Sequence, residues 1–125
     1  MWGPPTEEET VSDEASLRVV EEFNRAWGDH DLERALSLVT EDCVFDNTSP
    51  PPDGAVCRGR DEIAAAWKGI FDNPQSRFDA EETFVAGDRV VQRWRYSWGE
   101  GHVRGVDVMR VRGGKVSEKL SYVKG

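Results

Sequence analysis

From residue 77 to the end, short glycine-containing turns cut the sequence into four segments, and nothing else constrains the fold as strongly. The segments are RFDAEETFVAGD, RVVQRWRYSWGE, HVRGVDVMRVRG and KVSEKLSYVKG, with turns at Gly87-Asp88, Gly99–Gly101 and Gly113-Gly114. β-Branched and aromatic residues at alternate positions, bounded by Gly and Asp, are the pattern of strands. Connections this short join only antiparallel neighbours. The second half is therefore read as a meander of long antiparallel strands.

The first half has a different period. Leu17, Val20, Phe23 and Trp27 recur at helical spacing over residues 14–28, with Asp13 as the expected N-cap and Gly28 as the stop. Leu32, Ala35, Leu36 and Val39 repeat the pattern behind Asp31. EDCVFDN then reads as a short strand, TSPPPDG as a loop and AVCRG as a second short strand. RDEIAAAWKGIFDN carries Ile63, Trp67, Ile70 and Phe71 on one side and predicts a third helix, closed by Asn73-Pro74. Helices segregated from strands mean α+β: a curved, mostly antiparallel sheet wrapped around three helices, a cone with one apolar interior.

The 125 residues suit a single core. Five of the 24 acids fall within the first 14 residues, where no base stands, so much of the net charge of −8 belongs to the N-terminus. Residues 1–13 are read as a disordered acidic tail and 14–125 as one domain. A net acidic chain lacks the basic footprint that nucleic acid requires. No apolar run is long enough to span a bilayer, and MWGPPTEEETVSDE has neither the basic start nor the apolar stretch of a secretory signal, so a cytoplasmic protein is expected. Cys43 and Cys57 match no zinc or redox spacing and are read as small hydrophobes.

Within the last hairpin stands Asp107. A two-residue turn at Gly113-Gly114 pairs Arg112 with Lys115 and Val111 with Val116. Counting back sets Met109 against Glu118, Asp107 against Leu120 and Gly105 against Tyr122. Gly105, Asp107, Met109, Val111, Val116, Leu120 and Tyr122 then share a largely apolar face, with Glu118 near its end. Arg104, Arg110, Arg112, Lys115 and Lys119 share a basic one. Asp107 thus points inward. It is either a core carboxyl held by a donor or a working acid. In the preceding hairpin, a two-residue turn at Glu100-Gly101 sets Trp94 against Asp107, with Tyr96 against Gly105, while a three-residue loop sets Arg93 there instead. The first raises the carboxyl's pKa by desolvation and the second lowers it through the guanidinium. Asp46, at the end of the first strand before the prolines, is the second candidate carboxyl. Trp27, Trp67, Trp94 and Trp98 either line a pocket or fill the core. His30 and His102 read as surface residues without metal-ligand spacing.

Beyond the acidic segment, the chain resembles the nuclear transport factor two-like superfamily, in its SnoaL-like and ketosteroid-isomerase-like branch. FNRAWGDHDLERALSLVTEDCVF is similar to that family's opening helix pair and first strand, CRGRDEIAAAWKGIF to its entry into the third helix, and GVDVMRVRGGKVSEKLSYV to its last hairpin. In ketosteroid isomerase a carboxylate base lies where Asp46 stands, and a neutral aspartic acid donates a hydrogen bond where Asp107 stands. The family's first-helix tyrosine is matched by Phe23, which removes one donor of that pair. In SnoaL-like cyclases the last-hairpin aspartate serves in an aldol closure, a role Asp107 fits without the tyrosine. Limonene epoxide hydrolase requires Arg-x-Asp and a final-strand Asp, matched here by Arg93, Arg95 and Ser121, so only the first is kept.

The resemblance implies Asp107 and Asp46 as catalytic residues, in a pocket of Phe23, Trp27, Trp67, Trp94, Tyr96, Met109, Leu120 and Tyr122. The expected chemistry is proton transfer beside the carbonyl of a small apolar organic ligand, as in an isomerase, cyclase or dehydratase, with no cofactor and no metal. The competing expectation is a non-catalytic module that binds a ligand or dimerises through its sheet; a homodimer is what the resemblance implies.

Overall fold

A computed structural model describes residues 7–124, with side chains from Asp13 onward. Residues 1–6, the start of the expected acidic tail, lie outside the described residues. Helix α1 spans Glu7–Gly28, α2 Leu32–Ser37 and α3 Gly59–Asp72. Strands are β1 (Val39–Asp46), β2 (Val56–Arg58), β3 (Arg77–Ala86), β4 (Arg89–Ser97), β5 (His102–Arg112) and β6 (Lys115–Val123). The helix is described from ahead of Asp13, because a Glu-rich segment is a good helix former and acids favour a helix N-terminus. Asp31 does cap α2, its side chain accepting from the Arg34 amide at 3.1 Å.

One six-stranded sheet has the order β2-β1-β6-β5-β4-β3. All neighbours are antiparallel except β1 and β6, which run parallel. The α+β architecture expected from the segregated periods is what forms. The core lies between the helices and one face of the sheet. There Phe23, Ala26 and Trp27 of α1, Ile63, Trp67 and Phe71 of α3, and Cys43 and Phe45 of β1 are buried together. Val20, Val90 and Met109 make a smaller cluster beside it.

Two local features set which side chains enter that core. The first is the β5–β6 hairpin. Arg112 pairs with Lys115 and Val111 with Val116, as the Gly-Gly turn predicts. The register then shifts: Arg110 faces Glu118, Met109 faces Lys119, Val108 faces Leu120 and Asp107 faces Ser121. Ser117 is the extra residue, a β-bulge in β6 whose Oγ donates to the Arg110 carbonyl at 3.2 Å. A slip of one residue exchanges the faces of a strand. Lys119 and Ser121, not Leu120 and Tyr122, therefore share the inner face with Asp107. Tyr122 is 56% exposed, and Glu118 pairs with Arg89 on the outer side.

The second is the β4–β5 connection. Ser97 pairs with His102, and the Trp98 amide donates to the Gly101 carbonyl at 3.2 Å across a four-residue loop. Gln92 is thereby set against Asp107, Arg93 against Val106 and Trp94 against Gly105. Neither expected neighbour of Asp107, Trp94 or Arg93, is the one found.

Candidate functional site

Asp107 is 1% exposed, Lys119 5% and Ser121 8%. The three form a closed triangle. Ser121 Oγ donates to Asp107 Oδ1 at 2.6 Å, Lys119 Nζ donates to Ser121 Oγ at 3.0 Å, and Nζ lies 3.1 Å from Asp107 Oδ2. The ammonium thus has two of its three donors occupied. Aromatic rings surround it as well: Nζ lies 4.9 Å from the Phe45 centroid, 5.5 Å from Trp27 and 5.9 Å from Phe78, within cation–π range. A buried pair of this kind gains little over apolar residues of the same size, whereas removing one partner costs about 3–5 kcal/mol.

Gln92, next to Asp107 on β4, anchors a second buried network. Its amide exchanges hydrogen bonds with Asn24 of α1, at 2.7 and 3.0 Å, and accepts from Thr83 Oγ1 at 3.0 Å. Polar side chains from α1, β3, β4, β5 and β6 are thus gathered on the inner face of the sheet.

Rings fill the rest. Trp67 is fully buried, with centroid distances of 5.0 Å to Trp27, 5.7 Å to Phe23 and 5.6 Å to Phe45. Trp27 lies 4.6 Å from Phe71 and 5.2 Å from Phe78, and Phe78 continues the contact to Trp94 and Tyr96. The indole N–H groups of Trp27, Trp67 and Trp94 are buried without a hydrogen-bond partner. Buried donors are paired in the great majority of cases, so three in one interior is a polar demand that the described side chains leave unmet.

Trp27 and Phe78 also form the wall between this interior and the surface. On their outer side a cleft of about 10 Å³, bounded by His30, Ser76 and Tyr96 among others, meets an open depression of about 410 Å³ that shares Trp27, His30, Ser76, Arg77 and Phe78. Asp107 lines neither of these, nor the two grooves at Tyr122 and at Arg112. His30 is half-buried there rather than a free surface residue. Its Nδ1 meets the Phe71 carbonyl at 3.1 Å and its Nε2 the Ser76 carbonyl at 2.8 Å. The two contacts tie the end of α3 to the start of β3.

Of the residues singled out in the sequence, Asp107, Phe23, Trp27, Trp67, Trp94 and Met109 lie in the interior, and Tyr96 lies at its edge, where burial raises the phenol's pKa. Leu120 and Tyr122 do not join them, because the bulge turns them outward. Asp46 pairs with Leu120 in the strand that buries Cys43 and Phe45 on its other face, so alternation sets it away from Asp107. Lys119, Ser121, Gln92 and Asn24 are the polar residues that sequence reasoning missed; Lys119 was expected on the basic outer face. No pattern in VSEKLSYV announces the bulge, since its apolar alternation favours the unshifted register. Cys43 behaves as a small hydrophobe, its thiol pushed up to about 12 by burial. Among the described residues no group of His, Cys, Asp and Glu is arranged to hold a metal ion, and no helix is long and apolar enough to cross a membrane.

A family model described as a SnoaL-like domain matches residues 20–119. No curated protein matches the chain. Among solved structures, an NTF2-like protein of unknown function from Mesorhizobium loti is 42% identical, with a TM-score of 0.83 and 98% of each chain covered. Rv0760c from Mycobacterium tuberculosis, solved in complex with estradiol-17beta-hemisuccinate, shares the fold at 23% identity and a TM-score of 0.73, over 86% of this chain and 92% of that one. A computationally designed 17-OHP binder shares it at 24% identity and a TM-score of 0.75, over 88% and 91%. With its matched domain, sheet order and interior all in agreement, the chain belongs to the SnoaL-like domain family within the NTF2-like superfamily.

Proposed function

We propose that this protein binds a small, largely apolar organic molecule bearing a carbonyl group, and moves a proton beside that carbonyl. The observation that carries the reading is the Asp107–Ser121–Lys119 triangle, three polar side chains each more than nine-tenths buried amid aromatic rings. Packing alone would be served as well by apolar residues. A carbonyl oxygen accepts the third N–H of Lys119, which stabilises the negative charge that develops there on loss of the neighbouring proton. Asp107, with a lone pair left on each oxygen, receives that proton. The unpaired indoles of Trp27, Trp67 and Trp94 offer further donors to a ligand's oxygens. The ligand enters from the depression at His30 and Ser76 by displacing the Trp27 and Phe78 rings. Asp46 has no part in this reading, because it shares the outward face with Leu120. Rv0760c, solved with estradiol-17beta-hemisuccinate, and the designed 17-OHP binder share this fold, which supports a small organic ligand.

Hydrogen–deuterium exchange tests it. In D₂O the wild type should speed exchange at carbons next to the carbonyl of cyclohexanone, 1-indanone or a 3-ketosteroid, followed by NMR. Asp107→Asn and Lys119→Met, checked for folding by circular dichroism, should each lose roughly 10²–10⁴-fold of that acceleration. A wild-type rate no faster than buffer, or variants as fast as wild type, would refute proton transfer.

We infer also that two copies pair through the outer face of the sheet. Phe84, Tyr122 and Val123 are exposed at 43%, 56% and 42% around a groove of about 490 Å³. Glu81, Arg93, Arg104 and Lys124 flank it, both signs of charge on one patch, as a self-complementary contact requires.

A further inference from the structure

We propose that Lys119 is a nucleophile, and that its amine condenses with the ligand's carbonyl carbon to give a protonated imine. This rests on the carbonyl-ligand reading above and deepens it: the ligand would be held covalently and activated as an iminium.

The geometry around Nζ provides what such a step needs. Amine attack requires the ammonium to lose a proton, and Asp107 Oδ2 lies 3.1 Å away to take it. The carbinolamine formed next must lose its hydroxyl as water, which requires a proton donor beside the nitrogen. Ser121 Oγ is 3.0 Å from Nζ and 2.6 Å from Asp107 Oδ1, so it can pass the proton back from the carboxylic acid to the departing oxygen. The rings of Phe45, Trp27 and Phe78, with centroids 4.9 to 5.9 Å from Nζ, would face the resulting cation and the flat apolar body attached to it. Lys119 is 5% exposed, which keeps bulk water from hydrolysing the product.

The step balances without a co-reactant. The nitrogen lone pair forms the C–N bond and the carbonyl π pair moves to oxygen; loss of a second N–H proton then frees the pair that forms the C=N bond as the C–O bond breaks and water departs. One ammonium and one carbonyl compound give one protonated imine and one water. Two protons leave the nitrogen, one before attack and one from the first adduct, and both end on the departing oxygen; the carboxylate of Asp107 is protonated and deprotonated in each transfer and ends as it began. In the imine the positive charge stays beside Asp107, so the ion pair persists through the reaction. An exposed lysine lacks this arrangement: Lys68, Lys115 and Lys124, the other lysines of the chain, are all exposed.

The test is reductive trapping on the wild-type protein. Cyclohexanone, 1-indanone and a 3-ketosteroid are each incubated with it at neutral pH, with and without sodium cyanoborohydride. Adducts are mapped by peptide mass spectrometry, and binding is read separately from tryptophan fluorescence and saturation-transfer NMR. The expected result is an N-alkylated Lys119 at least tenfold over any other lysine, dependent on the reductant. Asp107→Asn should slow its formation, and Lys119→Arg, which keeps the charge, should abolish it. A ketone that binds with no adduct at Lys119 overturns the imine and leaves the binding reading standing. Labelling spread evenly over the four lysines overturns it too. A protein that binds none of the ketones overturns both.

Discussion

Lys119 and Asp107 illustrate how far a residue's character depends on where the chain places it. A lysine in a strand of alternating polar and apolar residues reads as a solvated charge, yet here its amine is at the centre of an aromatic interior, 3.1 Å from the one carboxylate beside it. The pair is mutually dependent. Asp107→Leu leaves the ammonium buried without its counter-ion and should lower stability by about 3–5 kcal/mol. Lys119→Met in the same background removes the stranded charge and should recover most of that loss. Urea midpoints of the two single variants and the double measure the coupling; simple additivity would mean that the pair is not the unit described here. Asp107 itself was legible, through the face it shares with Met109, Val111 and Val116, although Leu120 and Tyr122, counted on that face from the turn, do not lie on it. Its partners were not, because their position depends on Ser117.

Among the elements, the helices were the most readable, because the spacing of Leu17, Val20, Phe23 and Trp27, and of Ile63, Trp67, Ile70 and Phe71, admits one period. The β3–β4 and β5–β6 turns were also readable, since glycines at Gly87, Gly113 and Gly114 all take positive φ. The β4–β5 register was not. Its loop spans residues 98–101, and a difference of one or two residues there moves the partner of Asp107 from Trp94 through Arg93 to Gln92. Gly105 shows what the observed register demands. Trp94 lies across it, and an added Cβ would come within 2.5 Å of the indole and 2.3 Å of the Tyr122 backbone oxygen. Gly105→Ala should therefore cost about 1–3 kcal/mol by overpacking, with a changed near-ultraviolet dichroism band from Trp94. A neutral effect on the thermal midpoint would show that β5 can move away from β6 at this point.

At the scale of the whole molecule, the sheet's two faces have different tasks. The inner face closes a core around its polar triangle, while the outer one leaves Phe84 and Tyr122 partly in solvent. If two copies pair there, the wild type should run as a dimer by light scattering at micromolar concentration. Tyr122→Arg, which sets a charge at the centre of the patch, should run as a monomer with unchanged far-ultraviolet dichroism. A monomeric wild type would remove the pairing. That Tyr122 is available for this at all is a consequence of the bulge, which turned it away from the pocket expected for it.

The sequence by itself determined the class of fold, the order and kind of its elements, the apolar interior and the inward carboxyl. These follow from periodicity and turn chemistry, which act over a few neighbouring residues. Only the tertiary structure decided that Lys119 and Ser121 meet Asp107, that Gln92 lies beside it, and that Asp46, Leu120 and Tyr122 face away. Strand register is a two-valued choice repeated at every hairpin, and a single added residue reverses it. That choice is made by the packing of both faces at once, which local patterns in one strand do not encode.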